Sequence, residues 1–402
     1  MNLVNLTNKE FDVFARSHQL KSFVQTSQMG EIRKAKNWQV YYLGFKKNDT
    51  IIGASMLLAK EKFMGKKEFY APRGFLIDYN DQQLVNDFTN EIKSFVLNHN
   101  GFVLRIDPYL VYKQRNINGD IIAGIDNTTV VNTLKKIGFT KCSNDEQLKW
   151  LYVLELENKT EDDIFKEMCS NTRNIIRKTL KSNIKLRYLK KDDLYLFEKI
   201  TNETGSRRGF NSKNLDYYTQ MKDLFKDEVL FVVAELNLTC YISGLNNELL
   251  LQKKRLDKLS DVKANNGKKS ELNITITSLL KKIDNANAIK ETDGETIILS
   301  GAMFMAYGDE LVYLFCGNYK KYINFGAQYF IQWEMIKYAI KNNFKRYNFY
   351  GISGVFDKRD ESYGIYEFKK GFGGHVEELL GDYELGFGNH YKLYNFLKKV
   401  KK

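Results

Sequence analysis

The stretch Leu245-Asn246-Asn247-Glu248-Leu249-Leu250-Leu251-Gln252-Lys253-Lys254-Arg255-Leu256-Asp257-Lys258-Leu259 places Leu245, Leu249, Gln252, Leu256 and Leu259 at alternating spacings of four and three. A polar turn, Ala264-Asn265-Asn266-Gly267-Lys268-Lys269, follows, and Leu272, Ile276, Leu279, Ile283 and Ala286 then repeat the same rhythm. Such a two-position seam is the mark of helices that pack along one another, and Asn-Gly is a turn-forming pair. The reading is an antiparallel helical hairpin projecting from the body; the alternative is two helices lying on a globular core. Apolar strand-like runs at Leu230 to Glu235 and Thr296 to Met305 flank it, so the hairpin is expected as an insertion between neighbouring strands of one sheet.

Outward from the hairpin, helical and strand patterns alternate. Towards the N-terminus, Lys9 to His18 has helical spacing, Trp38 to Phe45 and Thr50 to Ala59 read as strands, and Gln83 to Asn98 is helical through Leu84, Phe88, Ile92 and Val96. Gly101 to Ile106 is a short apolar strand ending at Asp107-Pro108. A second set runs from a strand at Trp150 to Leu156 through a basic helix near Ile164 to Leu180. Helices near Asp192 to Thr204 and Asp216 to Phe225 and a strand at Val229 to Glu235 complete it. Beyond the hairpin come strands at Thr296 to Ala306 and Glu310 to Cys316, a helix from Ala327 to Asn342 and a strand at Arg346 to Tyr350. The predicted class is α/β (α+β), with a first unit at 1–150, a second at 151–236 and 296–402 returning at its end to the first, and the helical insertion at 237–295.

The 402 residues carry 62 Lys and Arg against 49 Asp and Glu, a formal charge of +13, which favours polyanionic partners over acidic ones. A hydrophobic share of 43% with 27 Phe and 25 Tyr provides for large cores and excludes global disorder. The four cysteines, Cys142, Cys169, Cys240 and Cys316, are scattered without a CxxC or a nearby His pair, so no zinc site or disulfide framework is expected. That usage, the lack of a signal-peptide pattern and the absence of any run near about 18 apolar residues point to the cytoplasm. There is no GxxxxGK[ST], no GxGxxG after a strand, no GxSxG and no HxxxH, which leaves NTPases, dinucleotide enzymes, serine hydrolases and metallohydrolases without support. No cofactor and no metal are expected.

Four segments carry the candidate chemistry. In Tyr70-Ala71-Pro72-Arg73-Gly74 a fixed-φ residue, a guanidinium and a glycine follow a strand, a turn able to present Arg73 and backbone amides to a diphosphate, or simply a surface turn with a solvated arginine. In Leu104-Arg105-Ile106-Asp107-Pro108, Arg105 and Asp107 share a strand face, where the aspartate can orient an amine or the two can form a structural ion pair. The cluster Glu361-Ser362-Tyr363-Gly364-Ile365-Tyr366-Glu367-Phe368-Lys369-Lys370-Gly371-Phe372-Gly373-Gly374 combines close-approach glycines with lysines, one of which should point inward. A desolvated lysine there can stabilise an oxyanion; the plain alternative is a β-bulge with two solvated lysines. Arg173, Arg177 and Lys181 recur every fourth residue, one helix face with three cations for phosphates or for water.

Taken in order, Thr26-Ser27-Gln28, Lys34-Ala35-Lys36-Asn37-Trp38, Tyr70 to Gly74, Leu104 to Pro108, Arg207-Arg208-Gly209-Phe210, Gln332-Trp333-Glu334-Met335-Ile336 and Phe368 to Gly374 resemble the Fem/MurM (FemABX) family of peptidoglycan cross-bridge aminoacyltransferases. The resemblance implies two GNAT-like subdomains with a coiled-coil arm inserted in the second. It also implies tRNA-dependent transfer of an amino acid from aminoacyl-tRNA to the stem-peptide amine of lipid II or of UDP-MurNAc-pentapeptide. Both substrates are polyanions, in keeping with the net charge, and an aminoacyl ester is already activated, in keeping with the missing ATP motif. Partners implied are these substrates, the cytoplasmic leaflet of the membrane touched peripherally, and related family members.

By the same resemblance Lys36 falls at the phosphate-binding position of the sugar-peptide acceptor, Asp107 at a carboxylate beside the acceptor amine, and Lys369 at the lysine near the transferred ester. Arg73, Arg105, Arg208, Lys213 and Tyr366 are expected to bind substrate, and Arg173, Arg177 and Lys181 to bind tRNA. Lys213 stands where relatives often have arginine, Phe75 where a second proline is common, and Asn348 where an aspartate is common. The competing readings are another GNAT-fold aminoacyl-tRNA-dependent transferase and a noncatalytic tRNA-binding protein.

Overall fold

The computed structural model describes residues 1–260 and 262–400; Asp261 in the expected hairpin turn, and Lys401 and Lys402 at the end of the stretch 296–402, lie outside the described residues. The strands are β1 (Asn2–Asn5), β2 (Gln39–Lys47), β3 (Thr50–Phe63), β4 (Lys66–Ala71), β5 (Gly101–Ile106), β6 (Val111–Arg115), β7 (Ile121–Asp126) and β8 (Thr140–Lys141). They continue with β9 (Trp150–Glu155), β10 (Lys185–Tyr188), β11 (Val229–Asn237), β12 (Thr296–Tyr307), β13 (Glu310–Asn318), β14 (Arg346–Gly351), β15 (His375–Leu379) and β16 (Tyr383–Gly386). They form two sheets, ordered β1-β2-β3-β4-β5-β16-β8 and β10-β11-β12-β13-β14-β9-β15-β6-β7.

In the first sheet β4 and β5 run parallel, joined by the helix Gln82–Asn98. Asp81 caps that helix, and its inward face is Val85, Phe88, Ile92 and Val96, with Leu84 only partly covered. A strand covered on both faces has to be apolar nearly throughout, which is why the run Gly101–Ile106 is legible as β5. The second sheet has a core on each face. One gathers Tyr152, Phe304, Trp333, Tyr347 and Phe372; the other gathers Phe197, Tyr218, Phe231, Met303 and Met305.

Two strand exchanges tie the sheets together. After β5 the chain turns at Asp107-Pro108 and pairs as β6 with β15 in the second sheet. This corrects the expected boundary at residue 150, since β6 and β7 lie within 1–150 yet join the second sheet. In return, β16 from the far end of the chain pairs with β5 in the first sheet. The basic helix expected from Ile164 to Leu180 is two helices, Glu161–Glu167 and Ser170–Lys181. Met168 and Cys169 between them are extended, and the Cys169 N–H donates to the Gly371 carbonyl at 3.0 Å, so a tertiary contact replaces a helical one.

Between the hydrogen-bonded neighbours β11 and β12 lie the helices Leu238–Asp257 and Asn266–Asp293. Leu249, Leu279 and Ile283 pack together with Leu245 and Ile276, while Leu238 and Ala286 belong to the main core at the base. Asn237 and Thr296, at the two ends of this segment, are direct cross-strand partners.

Candidate active site

The turn Ala71-Pro72-Arg73-Gly74 closes with Gly74 N–H to Ala71 carbonyl at 3.0 Å and sets Arg73 in the left-handed region at φ 60°. Gly74 follows at φ 76°, and a Cβ there would stand 2.7 Å from Cα of Pro108. The two proline turns are therefore packed against one another, and only glycine fits between them. The Arg73 side chain is buried rather than presented to solvent. Its backbone N–H donates to Oδ1 of Asp107 at 2.7 Å, Nη1 lies 3.6 Å from Oδ2, and Nη1 also donates to the Leu148 carbonyl at 3.1 Å. Its guanidinium sits 5.1 Å from the centre of the Tyr109 ring.

Asp107 is 2% exposed, and Oδ2 has no hydrogen-bond partner among the described residues. Burial pushes its carboxyl up to about 7, against the pull of Arg73, with Asp382 adding to the rise. A carboxyl held there is divided between its two protonation states at neutral pH, which suits a group that receives a proton from an amine.

Three cations gather at the ring of Tyr217 on the helix Leu215–Phe225. Lys36 Nζ lies 5.5 Å and Lys213 Nζ 5.6 Å from the ring centre, and Arg33 is within electrostatic reach of both Tyr217 and Lys36. Lys36 is brought there by the tight end of the helix Ser27–Lys34, where Asn37 takes φ 62° and Trp38 N–H returns to the Arg33 carbonyl at 3.2 Å. Partial burial, then the like charges of Lys213 and Arg33, hold the Lys36 ammonium below the usual lysine range. A site that crowds cations, with no carboxylate in contact among the described residues, is prepared for a polyanion.

Tyr350 links this cluster to Asp107. It stands one residue before the end of β14 at φ 66°, a conformation rare for an aromatic residue, held by its N–H donating to Oδ1 of Asn348 at 2.7 Å. Its hydroxyl lies beside the Arg73 guanidinium and within electrostatic reach of Tyr217. The next residue, Gly351, offers its carbonyl to Lys369 Nζ at 2.5 Å. The β14–β9 register shifts between Asn348 and Gly351, so the acceptor lies where the strands part.

Lys369 sits on the helix Tyr363–Lys370, 5% exposed, whereas Lys370 turns outward to Oδ1 of Asn118 at 2.8 Å. Burial pulls the Lys369 ammonium down to about 7, opposed by Cys316. The Cys316 thiol is in turn pushed up by burial, with Tyr313, Lys369 and Arg208 drawing it down, so Lys369 and Arg208 are both within electrostatic reach of it. Gly374, at φ 96°, allows the chain after this helix to cross 2.3 Å from Val153 O as measured to an added Cβ, a crossing closed to any other residue.

Other expected residues have different places. Arg105 does not meet Asp107; it binds Asp382 at 2.5 Å, Glu146 at 2.9 Å and the Asn144 carbonyl at 2.5 Å, which makes it structural. Tyr366 is a core residue packed on Tyr152 and Phe356, and its hydroxyl donates to the Ile117 carbonyl, which corrects its expected role in binding substrate. Arg208 is exposed at the end of the helix Leu194–Arg208, and Lys181 is exposed at the end of Ser170–Lys181. Arg173 donates to the Lys166 carbonyl at 3.2 Å, and Arg177 lies 5.2 Å from the centre of the Phe165 ring.

A polar network ties β13, β14 and β15 of the second sheet to Tyr109, in the connection between β5 and β6. Arg346 meets Glu310 at 3.1 Å and Glu377 at 2.9 Å, the Tyr109 hydroxyl donates to Glu310 at 3.1 Å, and Asn348 Nδ2 donates to Glu310 at 2.9 Å. An aspartate at 348 would set a carboxylate against Glu310, whereas the asparagine donates to it. Glu155, His375 and Glu377 have donor atoms within 4.8 Å of one another, a grouping able to hold a cation, but Arg346 engages both oxygens of Glu377 at 3.2 and 2.9 Å. Among the described residues no helix is long and apolar enough to cross a membrane.

A sequence model of the FemAB family matches residues 6–399. Aminoacyltransferase FemA of Staphylococcus aureus strain bovine RF122 / ET3-1 is 33% identical over 417 residues, covering 100% of this chain and 99% of the relative. FemA of strain N315 matches at the same 33%, over the same 100% and 99% of the two chains. A crystal structure of FemX superposes with a TM-score of 0.78 at 21% identity, over 99% of this chain and 100% of that one, a likeness of fold.

Proposed function

The chain belongs to the FemAB family and is an aminoacyltransferase, and from that premise we propose that it moves an amino acid from aminoacyl-tRNA to the stem-peptide amine of lipid II, or of UDP-MurNAc-pentapeptide, during formation of the peptidoglycan cross-bridge. The observation that carries this reading is the continuous line from Lys36 and Lys213 over Tyr217, through Tyr350 and Arg73, to Asp107. A diphosphate held at the lysines leaves the attached peptide to extend towards a carboxyl poised near neutrality.

In this reading the acceptor amine attacks the carbonyl carbon of the aminoacyl ester. A C–N bond forms, the ester C–O bond breaks, the amine gives its proton to Asp107 and the ribose oxygen leaves with one from Lys369, which is reprotonated from water. Asp107 holds the amine and takes its proton. Protonated Lys369 stabilises the oxyanion of the tetrahedral intermediate and the departing oxygen. Arg73 fixes Asp107 and stays out of contact with substrate. Arg208, within electrostatic reach of Cys316, approaches the donor end from the surface, and Arg173, Arg177 and Lys181 contact the tRNA backbone. The two sheets are read as two GNAT-like subdomains and the paired helices as a coiled-coil arm for the tRNA. The enzyme works from the inner face of the membrane.

The test is a transfer assay with tRNA charged separately with radiolabelled Gly, Ala and Ser, offered lipid II and UDP-MurNAc-pentapeptide in parallel. Label in either precursor is the expected result. No label in any combination, with tRNA binding intact, overturns the reading in favour of a binding protein.

A further inference from the structure

The helix Gly388–Val400 has two unlike faces. Tyr391 and Tyr394 point to the body: Tyr394 packs on Phe63 at 5.6 Å and Phe102 at 5.3 Å, and the Tyr391 hydroxyl donates to Glu384 at 3.0 Å. Leu393, Phe396, Leu397 and Val400, spaced by three and four, are turned the other way and exposed at 44, 62, 40 and 68%. Four large apolar side chains in register on one face of a helix have no use for water, and within the described chain nothing covers them. From 388 to 400 the sequence holds Lys392, Lys398 and Lys399 and no carboxylate. Beside the helix, the β3–β4 turn contributes Met64, exposed at 68%, while Lys62, within electrostatic reach of Tyr394, is paired with Glu68 at 3.1 Å and leaves the helix's own lysines as the cations of this face.

We propose that this face is the membrane-docking surface of the enzyme, with the helix lying in the headgroup layer of an anionic bilayer. An apolar stripe with cations and no carboxylate on its own helix is the pattern of an interfacial helix, and the charge selects a negatively charged surface over a neutral one. The inference rests on the proposed lipid-linked acceptor and names the place where that acceptor's bilayer is met. The helix packs at the Phe102 end of β5, and Asp107 lies just past the other end, about 17 Å away at some 3.3 Å per residue. The acceptor amine is thus met well above the lipid, at the reach of a headgroup that carries a sugar and a peptide.

The experiment is flotation of the full chain with vesicles of phosphatidylcholine and with vesicles of equal parts phosphatidylcholine and phosphatidylglycerol, neither containing acceptor. The chain is expected to float with the anionic vesicles alone. Phe396→Glu with Leu397→Glu, both at exposed positions, should lower the bound fraction about tenfold at unchanged melting temperature. Lys392→Gln with Lys398→Gln should lower it about fivefold and flatten its salt dependence. Transfer to soluble UDP-MurNAc-pentapeptide should be unchanged in both variants, while transfer to vesicle-embedded lipid II falls. Undiminished flotation of both variants overturns the proposal, as does a wild-type chain that ignores anionic vesicles. Self-association that the Phe396 and Leu397 changes abolish, in a chain that does not float, assigns the face to a second copy and overturns it too. Flotation without any transfer activity leaves the docking surface standing and sinks the proposed reaction instead.

Discussion

Lys36 and Lys213 approach one ring, that of Tyr217, at 5.5 and 5.6 Å from its centre, although 177 residues separate them in sequence. Cations placed so near each other repel until an anion arrives. Inorganic pyrophosphate should therefore raise the melting temperature by a few degrees. Lys36→Met and Lys213→Met should each raise KM for the acceptor about tenfold to a hundredfold, with kcat little changed, as expected for the loss of one charge-assisted contact. A variant whose KM stays at the wild-type value would remove that lysine from the phosphate site.

The rate of transfer should trace a narrow bell centred near neutrality. It rises as Asp107 gives up its proton and falls as Lys369 loses its own, both near 7. Residual activity of Asp107→Asn should lack the acid limb and that of Lys369→Met the alkaline limb. Lys369→Met should reduce kcat by about a hundredfold to a thousandfold, the scale for loss of one oxyanion-stabilising group.

The same two groups bend stability in opposite directions. The folded chain keeps the Asp107 proton from the ordinary 3.8 up to about 7, so this carboxyl contributes a fall in stability as pH rises through that window. Lys369 loses its proton at about 7 when folded and at 10.5 when unfolded, so it contributes a rise in stability between those values. Melting temperature followed against pH should show Asp107→Asn flattening the acid-side slope alone and Lys369→Met the alkaline-side slope alone.

Gly74→Ala combines a φ of 76° with a Cβ 2.7 Å from Cα of Pro108. A cost of about 2 to 3 kcal/mol is expected, measured by denaturant unfolding. Activity should fall along with stability, because the turn carries Arg73 and Arg73 holds Asp107.

Replacing residues 241–292 with a short turn should leave the sheet intact, since Asn237 and Thr296 already face one another across it. KM for charged tRNA should rise while acceptor affinity stays. An unchanged KM for charged tRNA removes the hairpin from donor binding.

Local pattern made the elements of this fold legible, and long-range pairing hid much of the site. The seam from Leu245 to Ala286 and the run Gly101–Ile106 each encode their structure within a few residues. The glycines around residues 369 and 370 mark one inward lysine without saying which; the helix Tyr363–Lys370 turns Lys369 in and Lys370 out. Tyr217 could not be told from a core aromatic, since Tyr218, Met221 and Phe225 on the same helix are core. Tyr350 depends on a left-handed backbone that Asn348 holds in place. Arg73, in a Pro-Arg-Gly turn, has the look of a solvated arginine and is buried by a carboxylate 34 residues away. Arg105 was misassigned because Asp382, its true partner, lies 277 residues further on.

The lacing of the two sheets governs how the molecule comes into being. Strand β5 is flanked by β4 and by β16, and β16 is among the last strands to leave the ribosome. The N-terminal sheet therefore stays open along β5 until translation is nearly finished, and β6 waits equally long for β15. Domain-by-domain maturation during synthesis, the usual course for a chain of this size, is closed to it. Neither half is a fragment that can be expressed by itself: a nonsense codon before His375 leaves an unpaired edge in both sheets, and one between β15 and Tyr383 still leaves β5 open, a template for aggregation and not a partial enzyme.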